Sequence, residues 1–108
     1  MKAFTISEHR RGEEYIVGPS ALGSRTTYLV YNVVEPGRSA PLKSAAGHEE
    51  ILLVVEGTAR VVLGDEELVL TPGQGAYLGE APDGTLYADG ERVRYVCAGG
   101  HVPGAHHH

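Results

Sequence analysis

The sequence predicts an all-β domain, a barrel of two antiparallel sheets. Fifteen glycines and six prolines are spread along the 108 residues and divide the chain into short segments. These segments are rich in β-branched and aromatic residues and are separated by turn dipeptides, a spacing typical of sandwiches and barrels. A chain of this length has room for one modest core, so we expect a single domain over residues 1–108.

Seven segments carry strand signals between short turns. The first clear one, residues 27–34, stops at Pro36 and Gly37, a dipeptide that favours a turn. Residues 38–47 are small and polar and include Pro41, which predicts a loop with a short extended piece. The other strands are predicted at residues 51–55, 58–63, 66–70, 76–78, 85–87 and 92–97, with the barrel's strands beginning at about residue 14. Reversals are predicted at Glu56–Gly57, Gly64–Asp65, Pro72–Gly73, Asp83–Gly84 and Asp89–Gly90, which makes 51–70 three consecutive hairpin strands.

The charge and composition exclude several kinds of partner. Nine basic and fourteen acidic residues give a net charge of −5, so we expect neither nucleic acid nor an anionic membrane surface as a partner. No run approaches the roughly 20 apolar residues that a spanning helix needs. Cys97 is the single cysteine, and the first residues lack the long apolar core of a signal peptide, so we expect a cytoplasmic protein.

The segment 51–55 is apolar at every position, which predicts a strand covered on both faces. Alternation turns Leu52 and Val54 inward and places Ile51, Leu53 and Val55 on the opposite face. That outer face needs cover from the N-terminal strands or from a second subunit, so we expect a homodimer.

Two groups of residues resemble the motifs of a known family, the small single-domain cupins. Gly37, Glu50 and Gly57 match the frame of the first cupin motif, and the run from Pro72 to Leu78 matches the beginning of the second. The resemblance extends from about Pro36 to about Tyr95. It implies a cupin-like double-stranded β-helix, or jelly roll, with a conserved-barrel core at about 28–97 and a histidine-containing tail at 98–108.

The metal-binding histidines of that family are missing here. Ser44 and Ala46 stand at the positions of the first two, and the third would fall at Gly84 or near Tyr87. No histidine occurs between His48 and His101. Because a hydroxyl or a methyl group cannot replace an imidazole as a metal ligand, we expect no cofactor at the family site.

His48 and Glu50 are the candidate site residues within the barrel. Strand alternation places them on one inward face, where they could act as acid and base or bind a polar ligand. The alternative is that His48 lies at the rim and makes a structural hydrogen bond. Tyr77 or Tyr87 could also contact a ligand. The remaining strand tyrosines are expected to be half-buried with their hydroxyls at a rim, namely Tyr28, Tyr31 and Tyr95.

The C-terminal histidines provide the other candidate cluster. His101 and His106, with His48 or Glu50, could form a non-standard site for a divalent transition metal. The alternative is that the terminal histidines are a purification remnant or a frayed end.

Three functional hypotheses follow. The first is a binding module that holds a small polar or carbohydrate-like ligand in the barrel mouth without the usual metal. The second is a metal-dependent enzyme of isomerase or oxygenase type, with an altered centre formed by His48, Glu50 and the C-terminal histidines. The third is a structural barrel that only mediates dimerisation.

Overall fold

Two antiparallel sheets face each other across a shared core in the computed structural model, which describes residues 3–5, 15–24, 26–44 and 46–102. The five-stranded sheet has the order β1-β2-β9-β4-β7, and the four-stranded sheet has the order β3-β8-β5-β6. The predicted all-β barrel is confirmed. The strands are β1 Tyr15–Val17, β2 Tyr28–Val34, β3 Arg38–Lys43, β4 His48–Glu56, β5 Ala59–Leu63, β6 Glu66–Leu70, β7 Gly75–Glu80, β8 Asp83–Ala88 and β9 Val93–His101.

A single helical turn, α1 Pro19–Leu22, interrupts the strands between β1 and β2. Pro19 begins it, where a missing N–H costs nothing, and Gly23 ends it in the left-handed conformation with φ of 69°. No helix in the described ranges is long and apolar enough to cross a membrane.

The core is filled by alternate residues from both sheets. On β4, Leu52 and Val54 are buried as predicted, and Leu86 of β8 meets them from the opposite sheet with no exposed surface. Tyr95 is also fully buried, deeper than the rim position that the sequence predicts. Its hydroxyl accepts a hydrogen bond from Nδ2 of the buried Asn32 at 3.2 Å. A buried polar ring therefore has a partner within the core.

Strand β9 connects the two halves of the larger sheet, because it pairs with β2 on one side and β4 on the other. Tyr28 lies opposite Gly99 on one side, and Glu50 lies opposite the same glycine on the other. One row of the sheet therefore carries Tyr28, Gly99 and Glu50 side by side on the inner face.

The predicted loop at 38–47 is wrong over most of its length, since Arg38–Lys43 forms β3. Ala40 and Leu42 alternate inward with 3% of their surface exposed, and the intervening positions face solvent. Pro41 is tolerated because β3 is an edge strand that pairs only with β8, so the missing N–H breaks no inner ladder. The strand signal of β3 is weak because the segment contains a proline and mostly small or polar residues, and only two of its side chains point inward.

The three-hairpin prediction for 51–70 is also wrong in one connection. β5 and β6 form a hairpin, but β4 belongs to the other sheet, so the chain crosses between sheets at Gly57.

Two predicted boundaries also differ from those in the structure. The reversal expected at Asp83 and Gly84 lies just before β8, and β9 continues to His101 instead of ending at residue 97. Glycine-rich sequence without apolar alternation gave no strand signal there, but pairing with β4 extends the strand.

Gly57 makes the crossing possible, and its replacement should be costly. Its φ is +78°, and a Cβ would overlap the backbone carbonyl oxygen of Arg92. We expect Gly57→Ala to lower the free energy of unfolding by about 2 kcal/mol or more, because strain and a backbone clash add. Gly64→Ala is the control, since Gly64 has φ of +59° with nothing within 4 Å of a Cβ. Equal losses for the two variants in urea unfolding would contradict this explanation.

Candidate functional site

The site begins with a hydrogen bond across the inner face of the five-stranded sheet. The Tyr28 hydroxyl donates to Oε2 of Glu50 at 2.6 Å, and Ser44 Oγ lies 3.3 Å from the same hydroxyl. Glu50 is buried, with 5% of its surface exposed. Burial, followed by the bond to Glu50, raises the pKa of Tyr28 well above its ordinary value, so the hydroxyl remains a donor.

Gly99 makes this bond possible because it has no side chain, which leaves room for the Tyr28 ring between β2 and β4. A Cβ on Gly99 would lie 2.5 Å from Tyr28 Oη and 2.7 Å from Tyr28 Cζ, and it would overlap the Glu49 carbonyl oxygen. Any side chain here would displace the Tyr28 ring. The glycine therefore allows Tyr28 to extend over β9 and reach Glu50 on β4.

Two imidazoles form the next row toward the open end of the barrel. His48 and His101 are cross-strand partners, and their rings stack with centroids 4.4 Å apart and planes 10° apart. The Tyr28 ring meets His48 edge-on at 5.6 Å. The three rings form one contiguous aromatic wall beside Glu50.

These side chains line a cavity of about 350 Å³ at the mouth of the barrel. Its size is at the small end of the range typical for ligand sites. Ile16, Pro19 and Val30 contribute an apolar side, and the polar side consists of Thr26, Tyr28, Lys43, Ser44, His48, Glu50 and His101. A buried carboxylate, a hydroxyl pair and an apolar wall together can bind a small molecule with one polar end.

The structure brings together some of the predicted site residues and separates others. His48, Glu50 and His101 line the same cavity. Tyr77 lies on the outer face of β7, where it is 64% exposed and its hydroxyl donates to Glu49 at 3.2 Å. Tyr87 belongs to the four-stranded sheet, with the Arg60 guanidinium 4.1 Å above its ring. His106 lies outside the described residues, and its metal role stays a prediction.

Tyr28 is the site residue that the sequence prediction missed. In sequence it is indistinguishable from the other strand tyrosines, because nothing near it marks a site. Alternation alone places it on the same face as Val30 and Val34, which are buried. Only the register of β2 and β4 against β9 shows that it reaches Glu50.

The described residues do not fit the metal centre that the fold family implies. Ser44 occupies its expected place but serves as a hydrogen-bond neighbour of Tyr28, and Ala46 is exposed. Among the residues that the structure describes, no group of three or more histidine, cysteine or acidic side chains is arranged to hold a metal ion. The parallel stacking of His48 and His101 also keeps the two rings from converging on a shared point.

The strand arginines form ion pairs at the surface. Arg60 binds Asp89 at 2.7 Å, Arg94 binds Glu56 at 2.8 Å, and Arg92 lies 4.0 Å from Glu35. Arg94 also donates to the Tyr31 hydroxyl. None of these arginines lines the cavity at the mouth.

The space that Gly99 leaves for the Tyr28 ring should contribute to the stability of the fold. We expect Gly99→Ala to cost about 2 kcal/mol or more, because the new methyl group clashes with backbone and breaks the Tyr28–Glu50 bond. Gly100→Ala is the matched control, since a Cβ there would meet only Thr26 atoms at an ordinary 3.6 Å. Thermal and urea unfolding measure both variants. A Gly99→Ala protein as stable as Gly100→Ala would show that no such clearance is needed.

Comparisons with known proteins identify the fold. No family model matches the chain, and no curated protein is similar to it at sequence level. Among solved structures, it is similar to a cupin 2 domain-containing protein from Halorhodospira halophila, with 25% identity and a TM-score of 0.68 over 86% of this chain and 66% of that one. It is also similar to a cupin protein from Bacteroides fragilis, with 14% identity and a TM-score of 0.72 over 100% of this chain and 92% of that one.

An enzyme is also among the similar structures. Ectoine synthase from P. lautus is 24% identical with a TM-score of 0.57, over 68% of this chain and 53% of that one. At this identity the likeness concerns the fold and leaves the reaction open. Sheet order, the frame of Gly37, Glu50 and Gly57, and these structural neighbours agree, and the chain is a small cupin-type domain.

Proposed function

We propose that this cupin-type domain binds a small organic molecule in the barrel mouth without the three-histidine metal centre of its family. The observation that carries the proposal is Glu50, a carboxylate with 5% of its surface exposed that lines a cavity of about 350 Å³. A buried carboxylate is costly unless hydrogen bonds stabilise it, and Tyr28 supplies one of them. The cavity also supports this function over that of a plugged and purely structural barrel.

A binding screen with variants at the mouth tests this proposal. A library of small polar molecules is added to labelled protein, and binders are expected to shift the backbone amide signals of Tyr28, Ser44 and Glu50. Glu50→Gln should weaken those binders about tenfold or more, since a bond to a charged group contributes about 1.5–3 kcal/mol. Binders that shift signals only elsewhere, or that ignore Glu50→Gln, would contradict the proposal.

Tyr87→Phe is the control for that screen. Tyr87 lies on the four-stranded sheet, outside the cavity, so removal of its hydroxyl should leave every dissociation constant unchanged. Tyr28→Phe should give an intermediate loss, because Glu50 keeps its charge but loses its donor.

We also propose that the protein is a homodimer through the outer face of β4 and β7. Ile51, Leu53, Val55 and Tyr77 are 55, 40, 43 and 64% exposed in the single chain. β1 pairs with β2 at the far edge of the sheet, so this strand of the described N-terminal part does not lie over the face of β4 and β7. Neighbouring exposed apolar side chains of this kind favour a second subunit as their cover.

Charge placed on that face should break the dimer. We expect Ile51→Lys/Leu53→Lys to shift the mass in light scattering from dimer to monomer at micromolar concentration, because like charges would meet across the two-fold axis. Val69→Lys is the control: Val69 is 60% exposed but lies on β6 in the other sheet. A monomeric wild-type protein, or an equal effect of Val69→Lys, would refute this interface.

A further inference from the structure

The charge of Glu50 has no balancing cation among the described residues. Its Oε2 accepts from Tyr28, a neutral donor, and no described lysine, arginine or histidine forms an ion pair with it. Lys43 lines the same cavity, but its Nζ lies 3.6 Å from Oδ1 of Asp83, with both side chains largely exposed. This lysine is therefore directed to solvent and to another carboxylate.

The second oxygen of Glu50 is the part of the carboxylate open to a ligand. Oε1 accepts no hydrogen bond from a described residue, whereas every fully buried side-chain oxygen or nitrogen in the described ranges has a partner. We therefore assign the small exposed surface of the Glu50 side chain to Oε1. A group that reaches it from the cavity must donate a hydrogen bond, since a carboxylate can only accept.

The rest of the mouth is suited to a hydrocarbon group. Ile16, Pro19 and Val30 line one side of the cavity, and the rings of Tyr28 and His48 line another. A cation beside the face of an aromatic ring gains a further electrostatic attraction. The site therefore combines apolar and aromatic walls with a carboxylate with which no cation in the described part of the chain pairs.

From these observations we infer that the ligand is a small organic cation, a protonated amine with a short apolar substituent, whose ammonium donates to Glu50. This inference rests on the proposed function and specifies its ligand. A neutral polyol could donate to Oε1, but it would leave the buried charge uncompensated. A carboxylate ligand would be repelled by Glu50 and by the net charge of −5.

Three probes of nearly equal shape and different charge test the ligand class. They are phenethylamine, 2-phenylethanol and 3-phenylpropanoate, titrated by calorimetry and by amide shifts at neutral pH. We expect phenethylamine to bind about tenfold or more tightly than the alcohol, and the carboxylate to bind most weakly. Glu50→Gln should bring the amine-to-alcohol ratio close to one.

Glu49→Gln is the matched control. It changes the net charge by the same amount, but Glu49 lies on the opposite face of β4 with its Oε1 bonded to Tyr77. The amine-to-alcohol ratio should be unchanged in this variant. An equal loss in Glu49→Gln would reduce the preference to a long-range charge effect and overturn the inference.

The possible failures are distinguishable from one another. If the alcohol binds at the mouth as tightly as the amine, the ligand class is wrong and the binding function stands. If none of the three probes shifts the signals of Tyr28 and Glu50, the amine inference is also wrong, and the library screen then decides the binding function alone.

Discussion

The hydrogen bond from Tyr28 to Glu50 is the interaction on which the mouth of this barrel depends. It joins β2 to β4 across a strand that lies between them, so it requires that strand to carry no side chain at the crossing. Gly99 meets the requirement. The carboxylate is thereby fixed in a buried position, the tyrosine stays protonated, and the wall of His48 and His101 continues the row outward.

The residues around Glu50 differ from those of the metal centre in the family that the sequence resembles. In the cupin family that the sequence resembles, imidazoles and a glutamate hold a metal ion. Here Glu50 keeps the glutamate position, but it accepts a hydrogen bond from Tyr28, whose hydroxyl lies 3.3 Å from Ser44 Oγ. A carboxylate can only accept hydrogen bonds, so the same frame here presents an acceptor.

The sequence was sufficient for the architecture and for part of the site. Turn dipeptides and apolar alternation predicted most strands, and the spacing of Gly37, Glu50 and Gly57 predicted the cupin-like barrel. His48 and Glu50 were predicted on one inward face, and they line the cavity. The sequence did not predict strand β3, because only Ala40 and Leu42 mark its inner face. It also did not predict that the chain changes sheets between β4 and β5, because a turn at Gly57 has the same sequence pattern within one sheet as between two.

The sequence could not predict which side chains contact each other across neighbouring strands. Tyr28 and Glu50 are 22 positions apart, and their contact depends on the register of both strands against β9. No local pattern encodes that register. For the same reason Tyr77 and Tyr87 were equal candidates by sequence, although one faces outward beside Glu49 and the other lies in the opposite sheet.

The position of β2 has a practical consequence for anyone who handles this protein. Its first residue, Tyr28, is at the mouth, and its last leads to Pro36 and Gly37 about 20 Å away at about 3.3 Å per residue. The chain leaves β9 at His101, beside the mouth. A fluorophore attached at His101 would therefore start next to the cavity at the mouth, whereas one inserted at Pro36 and Gly37 leaves that cavity clear.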